Sequence, residues 1–411
     1  MKIFKNIPFL LLLSFISLYL YELLFELPYT KKTIDNYFPL IYISAISLLI
    51  VFWQTNKKAE MPKGAITAFY LFFIWNIVSF TRSAIIATEY LDIKSLYINK
   101  LGGLSLLIPL AIATGLNFNE SRKMLKFVFF TFLFSFTLIP LTLTNTETEI
   151  YLFSRNVVPV IFFILFIPYL KIKQNILILI VAFLSLFIAI AWRSNIIHIL
   201  TSLGIVSIYW FRKAINHRIL LILQAALFVI PIFLLFRGIE GENIFNRSTN
   251  VEYLITSKGE QENLAEDTRT ELYSDVLKDL YESGDIWLGR GANGKYKTGG
   301  DFELPVELGN MRPDVEVGFL KLLIYNGILG VLFYSIVLWI AAYNGIAKTN
   351  NTLSQLFGVL IASHWFTLFL ENIITYNPYY YFHWFTVGLC LSLSFRTLTN
   401  EQIKQWLHFG K

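Results

Sequence analysis

Six arginines and two carboxylates stand where this chain could do chemistry: Arg82, Arg155, Arg193, Arg269, Arg290 and Arg312, with Glu316 and Asp314. A guanidinium is planar and permanently charged, and it grips the paired oxygens of a phosphate-type anion bidentately. Several of them around one mouth can neutralise a departing anion without a metal. The competing role for each is an interfacial side chain, its stem along apolar surface and its head in water. Glu316 lies in Asp314-Val315-Glu316-Val317-Gly318-Phe319-Leu320, where a polar stretch gives way to an apolar helix. Apolar surroundings disfavour an ionised carboxylate and make it a candidate general base, with Asp314 next in line. The competing role is a helix-start carboxylate stabilised by the helix dipole.

A second group consists of His364, Glu371 and His383. His364 and Glu371, seven apart, are expected on one face of one helix, with His383 opening the next. A metal needs more converging ligands than this spacing guarantees, so buried polar packing is the favoured reading. Gly289 to Lys295 has the spacing of a phosphate-binding glycine loop, but Tyr296 stands where such a loop needs Ser or Thr for magnesium, and no apolar helix follows. A glycine turn after a short strand is expected instead.

The elements that must position these residues are mostly membrane spans. At 55% hydrophobic, 17% aromatic and 15% charged residues, the chain has more apolar side chains than a soluble core of its length requires. The fold expected is all-α and integral to a membrane, with runs long enough to cross ~30 Å of hydrocarbon at about 7–27, 38–54, 65–82, 99–116, 124–143, 152–170, 174–192, 195–211, 218–236, 316–342, 353–373 and 379–397. That is about 12 transmembrane helices: nine in an N-terminal membrane domain, 1–236, and three in 316–398, followed by a tail, 399–411. The only polar break between the seventh and eighth runs is Arg193-Ser194-Asn195. Cys390 is the single cysteine and lies in an apolar run, so no internal disulfide can form.

Between these parts, 237–315 is a large polar loop. From Arg237 to Asp314 it holds nine Lys/Arg and sixteen Asp/Glu, a net −7, whereas the other 25 basic and 12 acidic residues give +13. With both termini inside, seventeen of the 34 basic residues fall on the side of the termini and only eight on the short segments opposite. The positive-inside rule then puts the loop outside. Within it, Ala265 to Ser283 carries Leu272, Val276, Leu277, Leu280 and Tyr281 at helical spacing, an amphipathic helix that would cover the membrane domain.

Arg193 at a helix end, Asp267-Thr268-Arg269-Thr270-Glu271-Leu272-Tyr273, Trp287-Leu288-Gly289-Arg290-Gly291, Glu316-Val317-Gly318-Phe319-Leu320 and Asn326-Gly327-Ile328-Leu329-Gly330 occur in that order. In order and spacing they resemble the O-antigen polymerase and ligase family, integral-membrane glycosyltransferases with about a dozen helices and a large periplasmic loop. The resemblance implies a polyprenyl-diphosphate-linked oligosaccharide as donor, an acceptor glycan, inversion at the donor carbon and no cofactor. Arg193 and Arg269 match family positions and are expected to bind the diphosphate; Arg155, Arg82, Arg312 and Arg290 are further candidates for it, because charges at helix ends or in the loop near a membrane are costly and often functional, and Glu316 or Asp314 would take the acceptor proton. Ligases of the family carry His-Asn where this chain has Glu316-Val317, a departure that favours polymerase over ligase.

The implied setting is a bacterial inner (cytoplasmic) membrane, with both termini cytoplasmic and the large loop periplasmic. A flippase and a chain-length regulator are the implied protein partners, and no nucleic acid is expected. The alternative within the family is a ligase moving finished glycan to a lipid or protein acceptor. The alternative of another class is a transporter or flippase, which would show paired halves with broken helices and midplane charges.

Overall fold

The computed structural model describes residues 6–26, 38–56, 61–142, 161–188, 193–239, 253–255, 261–263, 268–297, 311–312 and 315–408. The protein is mostly helical, with long apolar helices of the kind that suit a membrane. In chain order the helices are α1 Ile7–Glu26, α2 Phe38–Asn56, α3 Lys63–Ile86, α4 Tyr90–Tyr97, α5 Ile112–Leu116, α6 Phe118–Thr142, α7 Ile172–Ile188, α8 Arg193–Phe211, α9 His217–Ile239, α10 Thr268–Glu282, α11 Gly318–Ala347, α12 Thr352–Thr367, α13 Pro378–Leu391, α14 Leu393–Arg396 and α15 Asn400–Trp406. Four described helices are long and apolar enough to cross a bilayer: Phe38–Thr55, Lys63–Ile86, His217–Arg237 and Gly318–Ala347. Shorter apolar helices, including Ile7–Glu22 and Ile172–Leu186, pack beside them. On α2 and α9 the outward residues are themselves apolar, among them Trp53 and Phe233, as expected of surface that meets lipid rather than water.

Several expected spans differ in detail. The run 99–116 is not one helix: Gly103–Ala111 winds as a 3₁₀ segment containing Pro109 before the short α5. Proline has no amide hydrogen to continue an α ladder, and the tighter turn accommodates it. The tenth span begins at Gly318, so Glu316 precedes the helix instead of opening it. The eleventh ends at Thr367, which leaves Glu371 in the turn beyond and off the helical face expected to hold it with His364. The last run divides at Ser392, whose hydroxyl caps α14. Arg193-Ser194-Asn195, expected as a break, form the first turn of α8; α7 is described to Ile188, and 189–192 between the two lie outside the described residues.

The core is an aromatic seam among α3, α11, α12 and α13. Phe72 stacks on Trp384, Tyr334 meets Trp384 edge-on, and Trp365 stacks on Phe228 of α9. Such rings bury large areas and add about 0.5–1.5 kcal/mol per well-placed pair. One buried ion pair crosses this end of the bundle, Lys100 Nζ to Glu22 Oε1 at 3.0 Å. At the other end, Trp406 donates to the Phe118 carbonyl at 3.1 Å, and Tyr169 bonds Asn400 at 2.9 Å. Thr399 and Gln402 form a reciprocal cap on α15 and fix the tail against the bundle.

Candidate functional site

The site is built around an interruption in α11. Gly327 has φ 62° and ψ −173°, a conformation open essentially to glycine alone, and it releases backbone groups on both sides from the helical ladder. Residues 286–291 occupy the gap. Arg290 N donates to Ile324 O at 2.6 Å, Gly291 N to Tyr325 O at 3.1 Å, Ile328 N to Ile286 O at 2.9 Å, and Leu329 N to Trp287 O at 3.3 Å. The loop segment thus supplies the partners that the broken helix lacks, the condition under which irregular backbone is tolerated at membrane depth. At Gly289 an added Cβ would lie 2.6 Å from Gly327 N, so the strap can approach only without a side chain there.

The flanking elements hold this strap in place. Arg82 of α3 donates to Leu288 O and Gly289 O, both at 2.9 Å. Trp75 donates to Asn326 O at 2.8 Å, and Ser79 bonds the Asn326 side chain at 2.5 Å. Arg290 donates to Asp285 at 2.9 Å and Lys295 O at 2.7 Å and pairs with Asp279 of α10. Burial alone would push the Asp279 carboxyl up, but its bonds from Arg290 and Lys297 N outweigh that and hold it below the usual carboxylate range. Desolvation likewise opposes the Arg290 charge, and its two aspartates more than restore it.

Three segments distant in sequence meet at the 368–372 turn. Tyr273 of α10 donates to Phe369 O at 2.8 Å. Gly318 N donates to Glu371 O at 3.0 Å, Phe319 N to Leu368 O at 2.8 Å, and Asn372 to Val315 O at 3.1 Å. The 368–372 turn is therefore the seat of both the loop helix and the start of α11. Glu316 is on its outer rim, 66% exposed at the side chain, and bonds Arg312 at 3.2 Å. Its carboxylate faces water, not the apolar run expected to surround it. Lys321, one turn into α11, is buried and lies 5.6 Å from the Tyr325 ring.

Beneath the same turn is a polar pocket that the sequence suggested only in part. His198 of α8 pairs through Nε2 with Glu371 Oε1, and its Nδ1 lies 3.1 Å from the Tyr379 hydroxyl. Deeper in, His364 and His383 stack with ring centres 3.5 Å apart and planes 10° from parallel. Stacked rings direct their nitrogens sideways and not toward a shared point, and among the described residues no three His, Cys, Asp or Glu groups are disposed around a metal. Thr201, Ser202, Ser363 and Thr367 bring hydroxyls to the wall, with Phe162 opposite. His364 Nε2 and both His383 nitrogens have no hydrogen-bond partner among the described residues.

The expected site residues are thus divided. Arg82 and Arg290 hold the strap, and Arg312 and Glu316 form the rim. Arg193 and Arg269 head α8 and α10, but their side chains lie outside the described residues, as do Arg155 and Asp314 altogether. His198 was missed by sequence reasoning, although a histidine within an apolar span is itself the signal of a functional position. No protein-family model, curated protein or solved structure matches this chain.

Proposed function

We propose that this membrane protein is a glycosyltransferase that joins polyprenyl-diphosphate-linked oligosaccharide units at the outer face of a bacterial inner membrane, acting as a surface-polysaccharide polymerase of the O-antigen polymerase and ligase kind. The observation that carries the reading is the convergence of α10, the start of α11 and the 368–372 turn at one end of an otherwise apolar bundle. Polar groups gather there on both sides of the turn: Arg312 and Glu316 on the wet rim, His198, Glu371 and Tyr379 in the pocket beneath. A reaction between two lipid-anchored glycans needs such a place, with apolar helices for the tails and a water-facing mouth for the sugars.

Under this reading Arg193 and Arg269, at the N-terminal ends of α8 and α10, bind the diphosphate. Charge accumulates on it as the bond to the anomeric carbon breaks, and fixed guanidinium groups stabilise that charge. Arg82 and Arg290 contribute by holding the strap that shapes the mouth. Glu316 with Arg312 meets the incoming glycan at the rim.

The test is chain growth by purified protein supplied with a polyprenyl-diphosphate-linked repeat unit, for wild type, Glu316→Gln and Arg269→Ala. Longer lipid-linked glycans from wild type, with loss in both folded variants, support a polymerase with these roles. Transfer only onto an added foreign acceptor identifies a ligase. No transfer, together with passage of the lipid across vesicles, replaces the enzyme with a transporter.

A further inference from the structure

At the end of the bundle away from the 368–372 turn, a cleft of about 190 Å³ opens between α6, the start of α7 and the C-terminal tail. That is about a dozen times the space one ordered water requires, so the cleft admits a solute and not merely solvent. Its lining is of two kinds. Lys171, Gln174 and His408 are polar, whereas Phe129, Phe130, Leu170 and Leu407 are apolar.

Two of the walls pass from charged to lipid-loving residues at this level. On α6, Arg122, Lys123 and Lys126 precede Phe129 and Phe130 at spacings of three, four, seven and eight, so charges and rings share one helical face. The charges lie toward the helix start and the rings a turn or two further in. On α7, exposed Lys171 is followed by Ile172 and Ile176, which are also exposed. Exposed isoleucines beside an exposed lysine mark the level where headgroups give way to hydrocarbon, and a lysine stem there can follow the apolar surface with its charge in water.

The charges at the mouth are uncommitted. Lys123, Lys126 and Lys171 pair with no carboxylate among the described residues. Gln174 accepts from Lys171 N at 3.0 Å through its side-chain oxygen, which leaves its amide NH₂ as a donor. Arg122 donates to the His408 carbonyl and so ties the tail, the third wall, to α6. Glu120 and Glu401 are exposed and do not line the cleft. A free phosphate would leave the rings uncovered, and a bare acyl chain would leave the lysines without a counter-charge. An amphipathic anion satisfies both halves.

We propose that this cleft binds an anionic phospholipid, its phosphate held by Lys123, Lys126, Lys171 and Gln174 and an acyl chain running along Phe130, which is 54% exposed, into the bilayer. The inference does not rest on the glycosyltransferase reading. Bound there, the lipid joins α6, α7 and the tail and holds Leu407 and His408 in place. Each basic residue near an anionic headgroup is worth about fivefold in affinity, so the three lysines together supply roughly 100-fold.

The experiment titrates full-length protein in a non-ionic detergent with phosphatidylglycerol or phosphatidylcholine, with and without excess inorganic phosphate, and counts bound lipid by native mass spectrometry. Wild type should hold one phosphatidylglycerol per chain more tightly than any further copies, prefer it to phosphatidylcholine, and keep it in excess inorganic phosphate. Lys123→Gln with Lys126→Gln and Lys171→Gln should weaken that binding by roughly 100-fold. Phe130→Ala should weaken it severalfold with the charges intact. Lys213→Gln with Arg218→Gln and Lys348→Gln removes the same charge from exposed positions at this end that do not line the cleft, and should bind as wild type does. An equal loss in that control overturns the proposal, because the attraction then belongs to the surface as a whole. Equal affinity for phosphatidylcholine, displacement by inorganic phosphate, wild-type binding by Phe130→Ala, or no lipid retained by folded wild type each overturns it as well.

Discussion

Replacing Gly327 by alanine tests whether the strap and the broken helix are one unit. A Cβ at this position would lie 2.3 Å from the Trp287 carbonyl oxygen, far inside contact distance, and the neighbouring atom is backbone, which cannot swing aside. The conformation itself, at φ 62° and ψ −173°, costs a non-glycine residue about 1–3 kcal/mol. If the strap retreats to relieve the clash, four backbone hydrogen bonds between 286–291 and 324–329 are at stake. Each has a net worth of about 1 kcal/mol in an ordinary setting. Strain alone sets the loss at about 1–3 kcal/mol, and loss of all four bonds as well raises it to about 5–7 kcal/mol, at the upper end for a single substitution. Denaturant titration of detergent-solubilised protein measures it, and proteolysis reports whether 286–291 has come loose. Gly204→Ala is the matched control, because nothing lies within 4 Å of its Cβ position, and inside α8 it should stabilise by about 0.5–1 kcal/mol, not destabilise. If Gly327→Ala costs less than about 0.5 kcal/mol and its strap remains protected, the docking argument is wrong.

Three further outcomes follow from the same contacts. Arg82→Gln removes two charge-assisted bonds to the strap and should cost about 1–3 kcal/mol, with cleavage near Leu288 rising before global unfolding. Because the Asp279 carboxyl is held below its ordinary value, its stabilisation is complete above the unfolded carboxylate value of about 3.9 and disappears as pH falls through the lower, folded value. Protease protection of 283–297 should thus hold from neutral pH to about 4 and fail below it, and Asp279→Asn should abolish that acid limb while loosening the segment at every pH. Glu22→Gln or Lys100→Met alone should cost about 3–5 kcal/mol by stranding a buried charge, and Glu22→Leu with Lys100→Met should recover part of it, measured by the same titration.

The sequence carries the helical layout because a bilayer demands long apolar runs, and α1, α2, α3 and α9 start or end within a few residues of where hydropathy puts them. It is less informative where hydropathy and helix disagree. The 99–116 run is apolar throughout, yet winds as 3₁₀ because its backbone is governed by Pro109 and its neighbours, not by side-chain polarity. Glycine-rich motifs at 287–291 and 326–330 are visible as motifs, but that each fills the other's vacancy is a tertiary fact without local signal. The polar pocket was half legible. His364, Glu371 and His383 stand out as ionisable groups near apolar spans, whereas their grouping with His198 depends on α8 packing against α12, which no spacing within either helix encodes. Glu316 illustrates the converse: adjacency to an apolar run suggested burial, but the chain has not yet entered the helix at that point.

The strap also sets what can be exchanged between this chain and any relative. Residues 286–291, 324–329 and Arg82 belong to three regions that would ordinarily be treated as separate cassettes, yet each provides the hydrogen-bond complement of another. A hybrid that imports a foreign loop with its own 286–291 must import the matching break in α11 and the residue at 82, or leave backbone groups stranded in a dry place. The joint is therefore inherited whole or not at all, although its three parts lie far apart in the sequence.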